Sequence, residues 1–414
     1  MHGDFSRLTF APARHYSAVL VQQGRVQLDA DANEQSALVN HFLRRLAADL
    51  IGPYGGTDDA FKITTVGDKD LAIGTGRYYV AGIPCENDLA QAAYTGQSPH
   101  VQELPNRPYL VYLRVHERLV THLEDPWLRE VALGAHGPDT AARLRVVWQV
   151  LATQTVPGTQ DPVPDGKTIL AKWPEWQQTW RPTARLAARA LTPPGDREPC
   201  PVDPDARYRG VENQLYRVEI HRDGGTKKAA YKWSRDNGSV IFPLVQGSGG
   251  TRVVLGTLGR DDARTLTPGD RVEPVDEGAP WRAEPHELSE VKEVLREECT
   301  IEVAPPIAVT DGEGAYLRRW DQQGPAQQIV EETWLDLEDG VQIRFGPGGD
   351  YRSGDYWLIP ARVATGDVEW PHAGKEPEQR PPYGIDYHLA PLARVEADGS
   401  VEDLRSLIKP LTRA

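Results

Sequence analysis

The chain has 414 residues, and 46 Lys+Arg against 60 Asp+Glu give a formal net charge of −14. That balance argues against a nucleic-acid binder relying on overall basic charge, and no run of about 18 apolar residues marks a membrane insertion. Hydrophobic residues make up 39%, and 38 Gly with 34 Pro favour turns and short strands over long helices.

The N-terminus, Met1-His2-Gly3-Asp4-Phe5-Ser6-Arg7, lacks the basic-then-apolar layout of a secretory signal, so synthesis in the cytoplasm is expected. Ser17–Val21 and Arg25–Leu28 read as short strands around Gln22-Gln23-Gly24. A strong helix follows, because Leu38, Val39, Phe42, Leu43, Leu46 and Leu50 form one broad apolar stripe. Asp31 with Glu34 resembles a capping box, Arg44 and Arg45 suit the C-terminal end of the macrodipole, and Gly52-Pro53 supplies the stop. Asp29-x-Asp31-x-Asn33 imitates the start of a calcium loop. Glu34 stands where that loop needs Gly, and Asn40 where it needs a bidentate Glu, so a helix start is the reading.

From residue 57 the period becomes two. Tyr78–Ile83 reads as a strand, Val111, Leu113 and Val115 alternate with Tyr112, Arg114 and His116, and Leu144, Val146, Trp148 and Val150 share a face. Residues 157–207 carry Trp173, Trp176 and Trp180. Pro174 confines any helix there to starting near it, and the segment reads as a long connection with its aromatics tucked against a core. Strands resume at Gln214–Ile220, Ala230–Trp233 and Ser239–Phe242, and residues 250–306 suit a small barrel. Within these, Glu287–Glu298 fits either a strand or a helix. Asp339-Gly340 between Trp334–Glu338 and Val341–Phe345 is the clearest hairpin, suited to a type I′ turn, and Tyr356–Val363 is a further strand. The expected fold is mainly β with one prominent N-terminal α-helix, built of antiparallel β-sandwich or barrel domains. Its segments are 1–56 (strands and amphipathic helix), 57–156 (first β domain), 157–207 (connection), 208–249 with 307–414 (second β domain) and 250–306 (small inserted β-barrel).

Common catalytic signatures are missing: no Gly-x-Ser-x-Gly elbow, no Walker loop and no dinucleotide fingerprint. His286-Glu287 lacks the second histidine of a zinc helix, and Cys85, Cys200 and Cys299 are too scattered for a disulfide framework. No catalytic, cofactor or metal site is therefore expected. Two polar clusters remain. In Lys232–Ser239, Asp236-Asn237-Gly238 suits a tight turn, Arg235 a carboxylate partner and Trp233 the core. The functional alternative is a sugar- or metal-binding loop with Trp233 stacking and Asp236 and Asn237 coordinating. The second cluster holds Glu124, Asp125 and Asp139, with bracing between Asp139 and Arg143 the commoner outcome and acid–base work by paired carboxylates the alternative.

Gly3–Phe10, His15-Tyr16-Ser17 and Gln23–Asp31 with Asn33-Glu34-Gln35 resemble the opening of an uncharacterised bacterial domain family found in gene clusters of phage-tail-like contractile injection systems. Leu123–Pro126, Arg129–Gly134, Gly137–Thr140, Val147–Val150, Tyr208–His221, Lys232–Val240, Gly354–Arg362 and His388–Leu392 extend the resemblance along the chain. Two positions depart from it: Ala32 stands where Trp is expected, and Leu404 where Cys is expected ahead of Arg405. The resemblance implies a structural or accessory part of an injection particle, intracellular or released, associated with its baseplate, spike or fibre. The implied partners are other particle proteins or further copies of the chain. Asp29, Asp31, Asn33 and Glu34 would then lie in a docking element made of the N-terminal strands and helix, unless that helix simply covers the protein's own sheet. The alternative function is a carbohydrate-binding or glycoside-hydrolysing module at the particle tip, recognising a cell-surface glycan through the Trp cluster and Glu124, Asp125 and Asp236.

Overall fold

The computed structural model describes residues 1–89, 92–97, 101–134, 139–191, 207–225, 228–259, 261–276, 286–308 and 314–408. Among these, antiparallel strands dominate, and two α-helices occur, α1 at Asp29–Ile51 and α2 at Gly166–Thr179. The chain divides into two compact bodies. One comprises residues 9–118, 144–181 and 386–414, and the other 1–8, 119–143 and 182–385. This differs from the division read from sequence: His388–Val395 pairs along Tyr109–Val115 and so belongs with the early strands. Residues 192–206 of the connection, with Cys200, and Gly137-Pro138 of the second polar cluster lie outside the described residues.

In the first body, α1 begins at Asp29 behind Leu28, whose backbone is extended and which offers no side-chain cap. The expected Asp31–Glu34 capping box is absent because the Glu34 carboxylate instead accepts the Thr9 hydroxyl at 2.5 Å. Gly52, at φ +96, ends the helix as expected. Ser17–Val21 and Arg25–Leu28 are not strands. They form an extended arm that meets no sheet edge, and Val19 N–H donates to the Gln35 side chain at 2.8 Å. Tyr78–Ile83 is likewise two strands: Gly76–Val80 and Ile83–Asn87 form a hairpin turning at Ala81 and Gly82, both at positive φ. A Cβ on Gly82 would stand 2.1 Å from the Arg44 carbonyl oxygen, so glycine is what lets the backbone of α1 rest on this hairpin. Tyr54–Gly56 completes this three-stranded sheet, and Ile63–Val66, Asp70–Ile73 and Ala92–Ala93 form another.

A four-stranded sheet orders Val401–Asp403, His388–Val395, Tyr109–Val120 and Arg143–Thr153. It buries Val111, Leu113, Val115, Leu392 and Val395 against Phe61, Tyr78 and Ile83. The Pro174 expectation fails here. α2 starts eight residues upstream of it, capped by the Asp165 carboxylate accepting Thr168 N–H at 3.0 Å. Proline removes only its own N–H bond to the Leu170 carbonyl, and buried Trp173 repays that loss by packing against Leu110, Ile169, Leu389 and Leu404. Trp176 and Trp180 contact the Trp173 ring edge-on at 6.3 and 5.0 Å, so the three aromatics are tucked in as expected, but on a helix. Leu404, the departure from the expected Cys, is part of this core.

In the second body a five-stranded sheet orders Gln327–Gln328, Ala230–Ser234, Gln214–Arg222, Tyr356–Arg362 and Asp367–Val368. One of its faces packs with Leu335–Asp336, Val341–Phe345 and Leu186–Ala190 around Tyr216, Val218, Phe345 and Trp357. The Asp339-Gly340 hairpin is as expected: both residues have positive φ (48° and 85°), and Val341 N–H donates to the Glu338 carbonyl at 2.7 Å. A six-stranded half-barrel orders Ile241–Pro243, Tyr316–Trp320, Arg271–Val275, Ser289–Leu295, Thr300–Ile307 and Gly250–Val254. A Leu244–Leu255 bridge draws its two edges together around Val253, Leu266, Val291 and Leu317. The 250–306 insert read from sequence is thus too short, since Tyr316–Trp320 and Ile241–Pro243 supply two of the six strands. The ambiguous Glu287–Glu298 is a strand that ends in a 3-10 turn.

Candidate functional site

The second body holds a buried ionic network that starts from simple alternation. Along Gln214–Arg222, Tyr216, Val218 and Ile220 enter the apolar core, so Arg217, Glu219 and His221 must point the other way. They do not reach water: Arg217 and Glu219 are 2% and 5% exposed. Glu219 lies opposite Lys232 in the strand register, and Glu273 lies opposite Arg318 on the half-barrel. Arg217 donates to Glu219 at 2.6 Å, and Lys232 Nζ sits 3.2 Å from Glu219 and 2.7 Å from both oxygens of Glu273. Trp320 Nε1–H donates to Glu273 at 2.9 Å, and its ring lies 4.3 Å below the Lys232 ammonium. Burial opposes ionisation of Glu219, but the charges of Arg217 and Lys232, with a hydrogen bond to His2, outweigh it and hold its carboxyl well below the usual range. Burial, with Arg217 and Arg318, pushes the His2 imidazole well down, so it sits neutral 2.8 Å from Glu219.

Of the first polar cluster, the structural reading is the one observed. Trp233 is 4% exposed and packs on Tyr216, so no sugar can stack on it. Arg235 grips Glu338 through two 2.6 Å hydrogen bonds. Asn237, at φ +52 in the turn, accepts from Arg217 at 3.1 Å and donates to the Gly3 carbonyl at 3.0 Å. Asp236 is half-buried, and burial raises its pKa above the usual range. Through Asn237 the loop ties Gly3 and Arg217 together, fastening the N-terminal residues against the network.

In the second cluster, Asp125 caps a 3-10 turn by accepting Trp127 N–H at 3.3 Å, leaving Trp127 itself 94% exposed. The Asp139–Arg143 brace is not formed. Asp139 instead lies 2.9 Å from His122 Nδ1, and Arg143 donates to the Ala142 carbonyl at 3.0 Å, because the side chain of Arg143 folds back on its own backbone. Glu124 sits against the backbone of Gly314, within the second body. Among the described residues no group of three His, Cys, Asp or Glu is placed to hold a metal ion.

The first body carries the surface that remains. Asp29, Asp31, Asn33 and Glu34 occupy the first turns of α1, where acidic groups favour the positive end of the helix dipole. Turned inward on α1 are buried Ala30 and Leu38, the latter one of the six stripe residues, with Ala37, His41, Arg44 and Ala48 half-buried beside them. Arg44 reaches Glu117 at 2.6 Å. The rest of the apolar stripe points the opposite way, with Val39, Leu43, Leu46 and Leu50 exposed by 47, 58, 56 and 74%. Apart from Leu38, the helix therefore does not spend its apolar face on its own body. Beside the stripe the arm folds back, and Phe10, Pro12, Tyr16, Leu38, Phe42 and Leu46 line a groove of about 400 Å³. Leu20, Val21 and Val26 on the arm are exposed as well. Sequence reasoning identified the stripe but could not tell which way it faces. The inward Ala positions and the Gly82 contact were the missed signal.

Residues 1–156 and 178–406 match the family of unknown function DUF6519, and the chain belongs to that family. No curated protein and no solved structure matches the chain.

Proposed function

We propose, with membership of a family of unknown function as the premise, that this chain is a structural or accessory component of a phage-tail-like contractile injection particle. It is read as a baseplate-, spike- or fibre-associated protein, made in the cytoplasm, that works through protein–protein contacts and performs no catalytic step. The observation that carries the reading is the outward apolar stripe of α1 together with the exposed apolar side chains of the arm. Monomeric proteins rarely expose a contiguous apolar surface beyond about 300–600 Å², and larger ones mark contact sites. The motif resemblance to proteins from injection-system gene clusters supports the particle as the setting. Arg217, Glu219, Lys232 and Glu273 of the second body are engaged with one another, which suits a rigid part.

The test is mass spectrometry of intact particles purified from a producing strain. The chain is expected in constant ratio to sheath and baseplate proteins, and substituting Leu43→Glu with Leu46→Glu should release it. Particles of normal composition that never contain the chain would sink the proposal.

A further inference from the structure

We infer that the occupant of the exposed α1 stripe is the α1 stripe of a second copy of this chain. The inference deepens the reading above by naming the partner of that face, and rests on it only in treating the face as a contact surface. Three observations carry it. First, Val39, Leu43, Leu46 and Leu50 recur at spacings of four, three and four. That spacing is the seam on which one helix packs along another, and exposed Phe42 lies at its edge. At about 100° per residue the seam lies nearly opposite the inward face of Ala30, Ala37, Arg44 and Ala48, so an incoming helix would lie alongside the arm, which borders the seam at Phe42 and Leu46.

Second, the flanks of the seam are compatible with an identical partner. The positions bordering it are Asn33, Gln35, Asn40, Phe42 and Ala47, with Asp49 at the last turn. Charged flanks of one sign would hold two identical helices apart, and these five uncharged positions remove that repulsion. Arg44 is turned inward to Glu117 and adds no charge at the seam. Third, the extent is sufficient. Tyr16, Leu20, Val21, Val26 and Leu28 of the arm and Val39, Phe42, Leu43, Leu46 and Leu50 of α1 are 46–83% exposed. The exposed parts of these ten side chains sum to on the order of 1,000 Å² per copy, against about 800 Å² per partner in an interface of standard size. A two-fold axis lets one patch satisfy itself, which a self-complementary seam requires.

Sedimentation velocity of the full-length chain over a concentration series tests this. A dimer is expected, and added salt should not weaken it because the seam is apolar. Leu43→Glu with Leu46→Glu should weaken dimerisation on the order of 100-fold, since four carboxylates would then need desolvation. The circular dichroism of that variant should match wild type, both side chains lying outside the core, and its melting temperature should fall only by the part that dimerisation supplies. Should the variant unfold, Leu43→Cys with Leu46→Cys gives a second reading. Oxidation should then cross-link copies through α1, well beyond the wild-type chain treated alike. Monomeric wild type at high micromolar concentration, or a dimer indifferent to both glutamates, overturns the inference. So does absence of cross-links between copies. A different particle protein seated on the seam also overturns it while leaving the particle role intact. An intact dimer missing from purified particles overturns the role alone.

Discussion

Replacing Glu219 by Gln removes the anion at the centre of the buried network while nearly keeping its shape. Arg217 and Lys232 approach Glu219 at 2.6 and 3.2 Å, and both are all but excluded from water. At about 3 Å and an effective dielectric near 20, each contact amounts to about 5 kcal/mol before desolvation. Desolvation of the carboxylate offsets much of that, and removing one member of a buried pair typically costs about 3–5 kcal/mol. E219Q should therefore lose about 3–5 kcal/mol, a large share of an ordinary domain's stability of about 5–15 kcal/mol. Urea unfolding followed by tryptophan emission measures it, because Trp320 lies in the network and Trp233 in the core of the same sheet. The sign of the pH dependence is fixed by the depressed carboxyl. Its contribution is present above the unfolded value of about 4.3 and is lost as pH falls toward the lower folded value, so wild type and E219Q should converge in acid. Adding Lys232→Met to E219Q removes a cation left short of counter-charge. The double variant should then lose less than the sum of the two single variants by about 1 kcal/mol or more. A loss under about 1 kcal/mol for E219Q at pH 7, or strict additivity with Lys232→Met, would refute the idea that Glu219 is ionised and shared.

Three further outcomes are expected. Burial pushes Asp355 up to about 8, with Arg352 opposing and Asp223, Asp350 and Glu219 adding. Folded-state protonation then makes stability fall as pH rises from about 4 to 8, by up to about 5 kcal/mol, and Asp355→Asn should flatten that slope in melts at pH 5 and 8.5. Equal slopes for both proteins would count against it. Gly82→Ala places a methyl group against the Arg44 carbonyl at positive φ. It should cost at least about 1–2 kcal/mol and raise hydrogen exchange in α1 and the Gly76–Asn87 hairpin, whereas unchanged protection would contradict the close approach. Trp173→Ala should destabilise the first body by about 3–5 kcal/mol, measured by chemical denaturation, and a change below about 1 kcal/mol would mean the α2 core does not depend on it.

Much of the molecule follows from local rules. The period-two runs at Tyr109–Val120 and Arg143–Thr153, the Asp339-Gly340 turn and the helix ending at Gly52 depend on side-chain alternation, positive φ and the helical repeat, which neighbouring residues dictate. What alternation alone misjudged is environment. Alternation puts Arg217 and Glu219 on the polar side of their strand, yet the ionic groups of Lys232 and Glu273 close over them. Pro174 read as a barrier, yet the Trp173 core holds the helix through it. Trp233 read as core or stacking platform and Asn237 as turn residue or ligand; distant Tyr216 takes Trp233 into the core, and Arg217 and Gly3 hold Asn237 in the turn.

The sequence by itself therefore settled the β-rich class, the presence of α1 and the residues of its apolar stripe, because those depend on spacing within a few turns or strands. Only the tertiary structure decided that the stripe faces away from the body and that a strand's polar side is dry. Both depend on contacts between residues far apart in the chain, such as Gly82 with Arg44 and Lys232 with Glu273, whose meeting no local pattern encodes.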